Sequence, residues 1–229
     1  MFIGHFGVGF GAKALAPRTS LGSLFLAAQF IDLLWPPLLL AGVERVRIAP
    51  GWTRVTPLDF EHYPVSHSLL CRDRMGSDVC LGVLVCFPPA GCSRLGAGSC
   101  ESLAARRGCS PSGLPLYPGS SYQVGLGLWS STAGTLAVEL PAFACGLWLY
   151  LRATVASDAI GRWAAWGLVG YLLSIYIANL FGSPPPSVTA LAWVGQAQWL
   201  LIASGYWIDR HRLAEAVVAR SVLASVKTV

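Results

Sequence analysis

The stretch Leu21–Leu40, LGSLFLAAQFIDLLWPPLLL, decides the fold because it is long and apolar enough to cross a bilayer. A membrane helix needs about 20 mostly apolar residues, and this run carries a single charge, Asp32. The adjacent Pro36 and Pro37 predict a kink or a break near its end. A carboxylate inside a membrane segment usually faces a cavity or a partner. Asp32 is therefore the first candidate functional residue.

Three further apolar runs follow in the second half of the chain. They are Ser131–Leu151, which carries Glu139, then the uncharged Trp163–Phe181, and Thr189–Ile208, which only Gln196 and Gln198 interrupt. The 229 residues are 54% hydrophobic and 12% charged, which is too apolar for an ordinary soluble domain. The sequence therefore predicts one all-α, multi-pass transmembrane domain over residues 1–229 with four clear spans. The Gly-rich HFGVGFGAKALA, which starts at His5, is expected to be an interfacial or re-entrant piece.

Basic residues beside the short loops predict the orientation, because loops rich in Arg and Lys stay in the cytoplasm. The segment 152–162 and the DRHR sequence at 209–212 are basic, whereas 182–188 is uncharged. This pattern places the C-terminal tail, residues 213–229, on the cytoplasmic side of a bacterial cytoplasmic (inner) membrane. The net charge of +5 is scattered along the chain and predicts no nucleic-acid binding. The lipid bilayer is the expected partner.

The segment 71–113 differs from everything around it. It has no hydrophobic period, it is rich in Arg, Ser and Gly, and it holds six of the seven cysteines. The irregular gaps between these cysteines and the lack of a C-x-x-C pair argue against a zinc site or a disulfide framework. The seventh, Cys145, is expected to be buried and inert. No span is visible between residues 41 and 121, which would leave eight arginines outside and contradict the positive-inside pattern. An even number of spans is therefore missing, and an intact homologue would have six.

Histidines near the candidate spans carry a resemblance to a known family. The residues are His5, then Asp32 in QFIDLLWP, then His62 and His67 in EHYPVSHSLL, where Ser68 follows. In order and rough spacing they resemble the bacterial inner-membrane metal-dependent hydrolases of the LexA-regulated, YdjM-like family. That family has an early His, a first acidic element that usually holds more than one Asp, a His-x-x-x-x-His-Ser element and a later His-x-x-x-Asp. The resemblance covers residues 1–70 directly and is mostly a matter of hydropathy from Leu114 onward.

The resemblance implies an enzyme and a metal. A divalent ion, zinc or similar, would be held by His5, Asp32, His62 and His67, and a metal-bound water would be the nucleophile. Pro64 lies between His62 and His67 and predicts a turn from which both side chains can converge. Ser68 has no catalytic geometry of its own. The resemblance indicates no substrate.

The later His-x-x-x-Asp element is absent, and its expected place falls inside 71–113. Codons can be chosen for residues 99–113 which, read one nucleotide later, encode VVSHWLLDAVVHRP. The same shift over 71–98 permits two apolar spans joined by a triple-Arg loop. We therefore hypothesise that 71–113 is a frame-shifted translation and that this chain is impaired as a hydrolase. The alternative is a natural extracytoplasmic loop with cysteines.

Two other classes of function also fit these residues. A small permease or channel-like protein would line a polar path between helices with Asp32, Glu139, Gln196 and Gln198. A structural membrane partner would have no chemistry at all. Loss of bound metal on mutation of His62 and His67 favours the hydrolase, whereas loss of flux in Glu139→Gln favours transport.

Overall fold

The computed structural model describes residues 2–63, 65–67, 114–115, 123–124 and 127–214. Its helices are α1 (Ile3–Leu15), α2 (Leu21–Leu40), α3 (Thr132–Ala153), α4 (Ala159–Phe181), α5 (Val188–Gln196) and α6 (Gln198–Arg210). Its strands form three antiparallel pairs, β1 (Arg45–Ile48) with β2 (Leu58–His62), β3 (Leu114–Pro115) with β4 (Gln123–Val124), and β5 (Thr154–Ala156) with β6 (Arg212–Ala214). The protein is mostly helical, so the prediction of an all-α fold is confirmed in part, and these short sheets depart from it. The frame-shift hypothesis for 71–113 concerns residues outside the described ranges.

Three of the helices are long and apolar enough to cross a membrane, namely α2, α3 and α4. The prediction of four spans is confirmed only in part, because the fourth run is divided between α5 and α6. At the junction the Ala197 N–H bonds to the Val194 carbonyl and the Leu200 N–H to the Ala197 carbonyl, both at 3.0 Å. This three-residue spacing is tighter than that of an α-helix. Just before the junction, Gly195 lies against Pro36 of α2 so closely that a Cβ would stand 2.6 Å from Pro36 Cγ.

The helix α2 continues through both of its prolines to Leu40, so the break that the sequence predicts does not occur. Each proline lacks the N–H that would bond to the carbonyl four residues earlier, which here frees the carbonyls of Asp32 and Leu33. Regular bonding resumes at once, because the Ala41 N–H bonds to the Pro37 carbonyl at 2.9 Å. The two prolines therefore remove the usual i+4 donors of the Asp32 and Leu33 carbonyls without ending the helix.

The short helix α1 is buried between α2 and α3. Its 13 residues extend about 20 Å, less than the roughly 30 Å of a bilayer core. Glycines bring it close to α3: a Cβ on Gly7 would lie 2.7 Å from the Ala142 carbonyl oxygen, and one on Gly146 would overlap the backbone of Gly7. Burial of this kind fits a re-entrant element better than an interfacial one.

Aromatic rings fill the core around α1. Phe6 and Phe10 both meet Phe25 of α2 edge to face, with ring centroids 5.0 and 4.9 Å apart, and Phe10 also contacts Tyr150 of α3. The neighbouring Cys145 of α3 is exposed, so the prediction that it is buried is wrong. Phe143 and Gly146 occupy the buried face of α3 instead.

The basic segments meet at one end of the molecule. The buried Arg212 donates to both the side chain and the carbonyl of Thr154, at 3.0 Å each, and so ties β6 to β5. Lys13, at the end of α1, donates to Asp209 of α6 at 2.9 Å. The predicted tail therefore begins as an ordered strand, since β6 includes residues 213 and 214.

The loop before α4 is held at the same end. The Asp158 carboxylate accepts from the Gly161 N–H at 2.7 Å and lies 2.7 Å from His211 Nδ1. The hydrogen bond from the Gly161 backbone, and then that with His211, hold the pKa of the Asp158 carboxyl below its usual range. Asp158 thus both caps α4 and joins it to the end of α6.

The hairpin β1–β2 packs against the C-terminal end of α2. Val46 and Phe60 of the hairpin pack in one buried cluster with Leu39 of α2 and Ala192 of α5. Arg47 pairs with Asp59 at 2.7 Å and with Glu61 at 3.1 Å, so neighbouring carboxylates compensate its charge. This hairpin places the segment that contains His67 beside α2.

Candidate functional site

Asp32 lies at the centre of the candidate site. His5 Nε2 is 3.9 Å from Asp32 Oδ2, and His67 Nε2 is 3.6 Å from Asp32 Oδ1. Both imidazoles are buried, whereas a quarter of the Asp32 side chain is exposed, in a cavity of about 290 Å³. Three separate elements supply these side chains: α1, α2 and the loop after β2. The structure therefore brings together three of the four residues that the sequence predicts as metal ligands.

The donor set suits zinc, but the spacing is slightly open. Two imidazoles and one carboxylate are common zinc ligands, and ligand atoms about 2.0–2.1 Å from a tetrahedral zinc lie about 3.3 Å from one another. The observed 3.6 and 3.9 Å exceed this by a few tenths of an ångström and are also too long for good hydrogen bonds. Among the residues described, no group of three or more His, Cys, Asp or Glu side chains is already arranged as a metal site. Metal binding would require His5 and His67 to move slightly towards Asp32.

Two residues that the sequence does not mark, Ser66 and Glu44, form a hydrogen-bonded chain on the Nδ1 side of the His67 ring. Ser66 Oγ lies 2.6 Å from His67 Nδ1 and donates to Glu44 Oε2 at 2.6 Å. The other Glu44 oxygen accepts from the backbone N–H groups of Ser66 and Val65 at 2.7 and 3.0 Å. Glu44, Ser66 and His67 are all buried. The loop that carries His67 is therefore fixed to the residue that precedes β1.

This arrangement sets the direction of the hydrogen bonds. A serine hydroxyl has one hydrogen, and Ser66 gives it to the Glu44 carboxylate. Nδ1 of His67 must then donate to Ser66 Oγ, which leaves the lone pair of a neutral ring on Nε2. That lone pair faces Asp32 Oδ1 across 3.6 Å. Two acceptors in this position repel each other unless a second proton charges the ring or a cation lies between them.

His62 does not join this group. It lies at the exposed end of β2, opposite Arg45 in the sheet. Of the two histidines, only His67 turns inward to Asp32. Pro64 and Ser68 lie outside the described residues.

Glu139 accepts hydrogen bonds from the start of α1. Its Oε2 accepts from the backbone N–H groups of Phe2, Ile3 and Gly4 at 3.0, 3.1 and 3.4 Å. These are N–H groups at the start of α1, which have no carbonyl partner inside the helix. The buried carboxylate of α3 therefore caps α1, and its charge favours the positive end of the helix dipole.

The cavity beside Asp32 and His67 has aromatic walls. Trp35, Phe60 and Trp129 line it, with the rings of Phe60 and Trp129 stacked at 5.9 Å and Trp35 5.4 Å from Phe60. Glu139 and Gln198 line the same cavity, and Gln196 does not. Asp32 and His67 thus lie in a mostly apolar cavity that also has other polar lining residues.

The chain matches no protein-family model, no curated protein and no solved structure. The fold and the site define a mostly helical protein whose three long apolar helices are compatible with a lipid bilayer. The resemblance to the YdjM-like hydrolases stays a prediction.

Proposed function

We propose that this chain is built on the plan of a membrane-embedded metal-dependent hydrolase, with His5, Asp32 and His67 as the remaining part of a metal centre. The observation that carries the proposal is the meeting of two buried imidazoles on one carboxylate, with His67 Nε2 3.6 Å from Asp32 Oδ1. A bound zinc-like ion would act as a Lewis acid and would lower the pKa of a bound water. The three side chains would hold the ion, and the aromatic walls would limit the access of bulk water.

The frame-shift hypothesis completes this proposal. The His-x-x-x-Asp element that the shifted frame encodes would add the ligands that this chain lacks. The nucleotide sequence decides the hypothesis, because stop codons in the shifted frame, or the lack of that element, would exclude it. A frame-corrected protein is expected to bind zinc more tightly than this chain and to gain hydrolase activity. Equal zinc occupancy in the two proteins would contradict the proposal.

The two histidines of EHYPVSHS give a matched test of the metal site. We expect His67→Ala to lower zinc affinity at least about tenfold, since it removes one of three ligands. His62→Ala should leave zinc affinity within about twofold, because His62 is exposed on β2. Zinc affinity is measured in detergent by competition with a chromophoric chelator. Equal loss in both variants would show that the metal is held elsewhere.

We also infer that the protein lies in a bacterial inner membrane with its basic end in the cytoplasm. Lys13, Arg152, Arg162 and Arg210 all belong to the helix ends that gather around β5 and β6. Basic residues beside short connections mark the cytoplasmic side. The hairpin β1–β2 and the loop between α4 and α5 would then face the opposite side.

A further inference from the structure

We propose that Glu44 and Ser66 are positioning residues, which fix the tautomer of His67 so that its Nε2 carries a lone pair towards Asp32. The consequence for metal affinity rests on the proposed function, whereas the tautomer itself does not. Glu44 and Ser66 are 2% and 0% exposed, so no bulk water competes for these hydrogen bonds.

Glu44 determines which atom is the donor in each hydrogen bond between Glu44, Ser66 and His67. Its Oε1 already accepts two backbone N–H groups, and its Oε2 accepts the Ser66 hydroxyl. A carboxylate that receives three donors acts only as an acceptor. Ser66 therefore has no hydrogen left for His67, and it can only accept from Nδ1 at 2.6 Å. Glu44 thus determines which ring nitrogen is protonated without touching the ring.

Such an arrangement is what a ligating histidine needs. A histidine that binds a metal through one nitrogen usually donates from the other to a carboxylate, a carbonyl or a water, which orients the ring and raises its basicity. Here Ser66 lies between the imidazole of His67 and the carboxylate of Glu44. Through Ser66, Glu44 favours a proton on Nδ1 of His67. The backbone bonds from Val65 and Ser66 keep Glu44 in place, so the loop and the ring are oriented together.

The substitution Glu44→Gln tests these donor and acceptor roles because it keeps the shape of the side chain. It reverses the direction of the hydrogen bond between residue 44 and Ser66. The two backbone N–H groups need an acceptor, so the amide oxygen must face them and the amide nitrogen must face Ser66. That nitrogen donates to Ser66 Oγ, and the Ser66 hydroxyl then donates to His67 Nδ1. The proton of His67 moves to Nε2, where it points at Asp32 and blocks ligation.

The measurement is nitrogen NMR of the full-length, metal-free protein in detergent, with ring-¹⁵N histidine. The chain has only four histidines, and His67→Ala identifies the signals of His67. We expect a protonated Nδ1 in the wild-type protein and a protonated Nε2 in Glu44→Gln. Zinc affinity should fall about 10- to 100-fold in Glu44→Gln. Glu61→Gln, on the exposed face of β2, is the control and should change neither quantity.

A second pair of variants covers the case in which Glu44→Gln does not fold. Ser66→Ala removes the link and should give a mixture of His67 tautomers, whereas Ser66→Thr keeps the hydroxyl and should retain the wild-type tautomer. A wild-type His67 protonated at Nε2, or a tautomer unchanged in both Glu44→Gln and Ser66→Ala, would overturn the proposal. If the tautomer changes as expected but the wild-type protein binds no zinc, the positioning role stands and the hydrolase proposal fails.

Discussion

Asp32, Glu44 and Glu139 are acidic residues that are buried or partly buried, and their neighbours give each a different role. Asp32 faces two imidazoles, Glu44 orients one of these through Ser66, and Glu139 caps α1. The sequence marks Asp32 and Glu139 as unusual because each interrupts an apolar run. It does not mark Glu44, which follows α2 and precedes Arg45 outside the apolar runs. An acidic residue type therefore predicts that burying the side chain is costly. The groups that contact the carboxylate in the folded protein decide its role.

Glu139 offers a test at this scale. We expect Glu139→Leu to destabilise the protein by roughly 1–3 kcal/mol, because it leaves the first N–H groups of α1 without their acceptor in a buried place. Glu139→Gln keeps a carbonyl oxygen and should cost less. The free energy of unfolding is measured by SDS titration of the detergent-solubilised protein. Leu140→Ala, on the exposed face of the same helix, is the control, and a Glu139→Leu protein as stable as this control would argue against the capping role.

At the scale of elements, glycine spacing explains how a 13-residue helix can be buried in this fold. The contact between α1 and α3 depends on Gly7 and Gly146, whose backbones touch. The sequence shows that HFGVGFG is rich in glycine, and it does not show which helix the glycines face. The hairpin β1–β2 has a clearer pattern in the sequence: RVRI and LDFEH alternate in polarity on either side of a segment that contains Pro50 and Gly51, which is typical of a strand pair with a turn.

The same substitution at two glycines separates packing from helix propensity. Gly146→Ala should destabilise the protein by about 1–3 kcal/mol or prevent folding, because the new methyl group meets the Gly7 backbone. Gly167→Ala, in the exposed middle of α4, meets nothing within 4 Å and should be neutral or stabilising by up to about 1 kcal/mol. Unfolding of both variants in detergent gives the comparison. Similar stability of the two would mean that α1 does not cross α3 at this point.

At the scale of the whole molecule, the basic connections lie at one end and the site lies towards the other. β5 and β6 join the ends of α3 and α6, and Lys13 brings the end of α1 to the same place. The sequence predicts this grouping from charge alone. The structure adds the reason that it is stable: Arg212 and Lys13 are buried there and are satisfied by hydrogen bonds.

Reporter fusions test the orientation in a bacterial cell. Green fluorescent protein fused after Val229 should fluoresce, because the basic end is expected in the cytoplasm. Alkaline phosphatase fused at the same place should be inactive, and a fusion after Pro185, in the loop between α4 and α5, should be active. The opposite pattern at both positions would reverse the proposed orientation.

The sequence by itself determined where the apolar helices lie, because a run of about 20 apolar residues is a local property that the bilayer imposes. Asp32 stands out in the sequence because a carboxylate within such a run is costly, whereas His5, His62 and His67 are candidates only through the family resemblance. Only the tertiary structure decided that His62 stays outside the group, that Glu139 caps α1, and that the fourth apolar run divides at Ala197. These outcomes depend on which backbone groups need partners once helices distant in sequence come together. Glu44 shows this most clearly, because its hydrogen-bond donors Val65 and Ser66 lie 21 and 22 residues further along the chain.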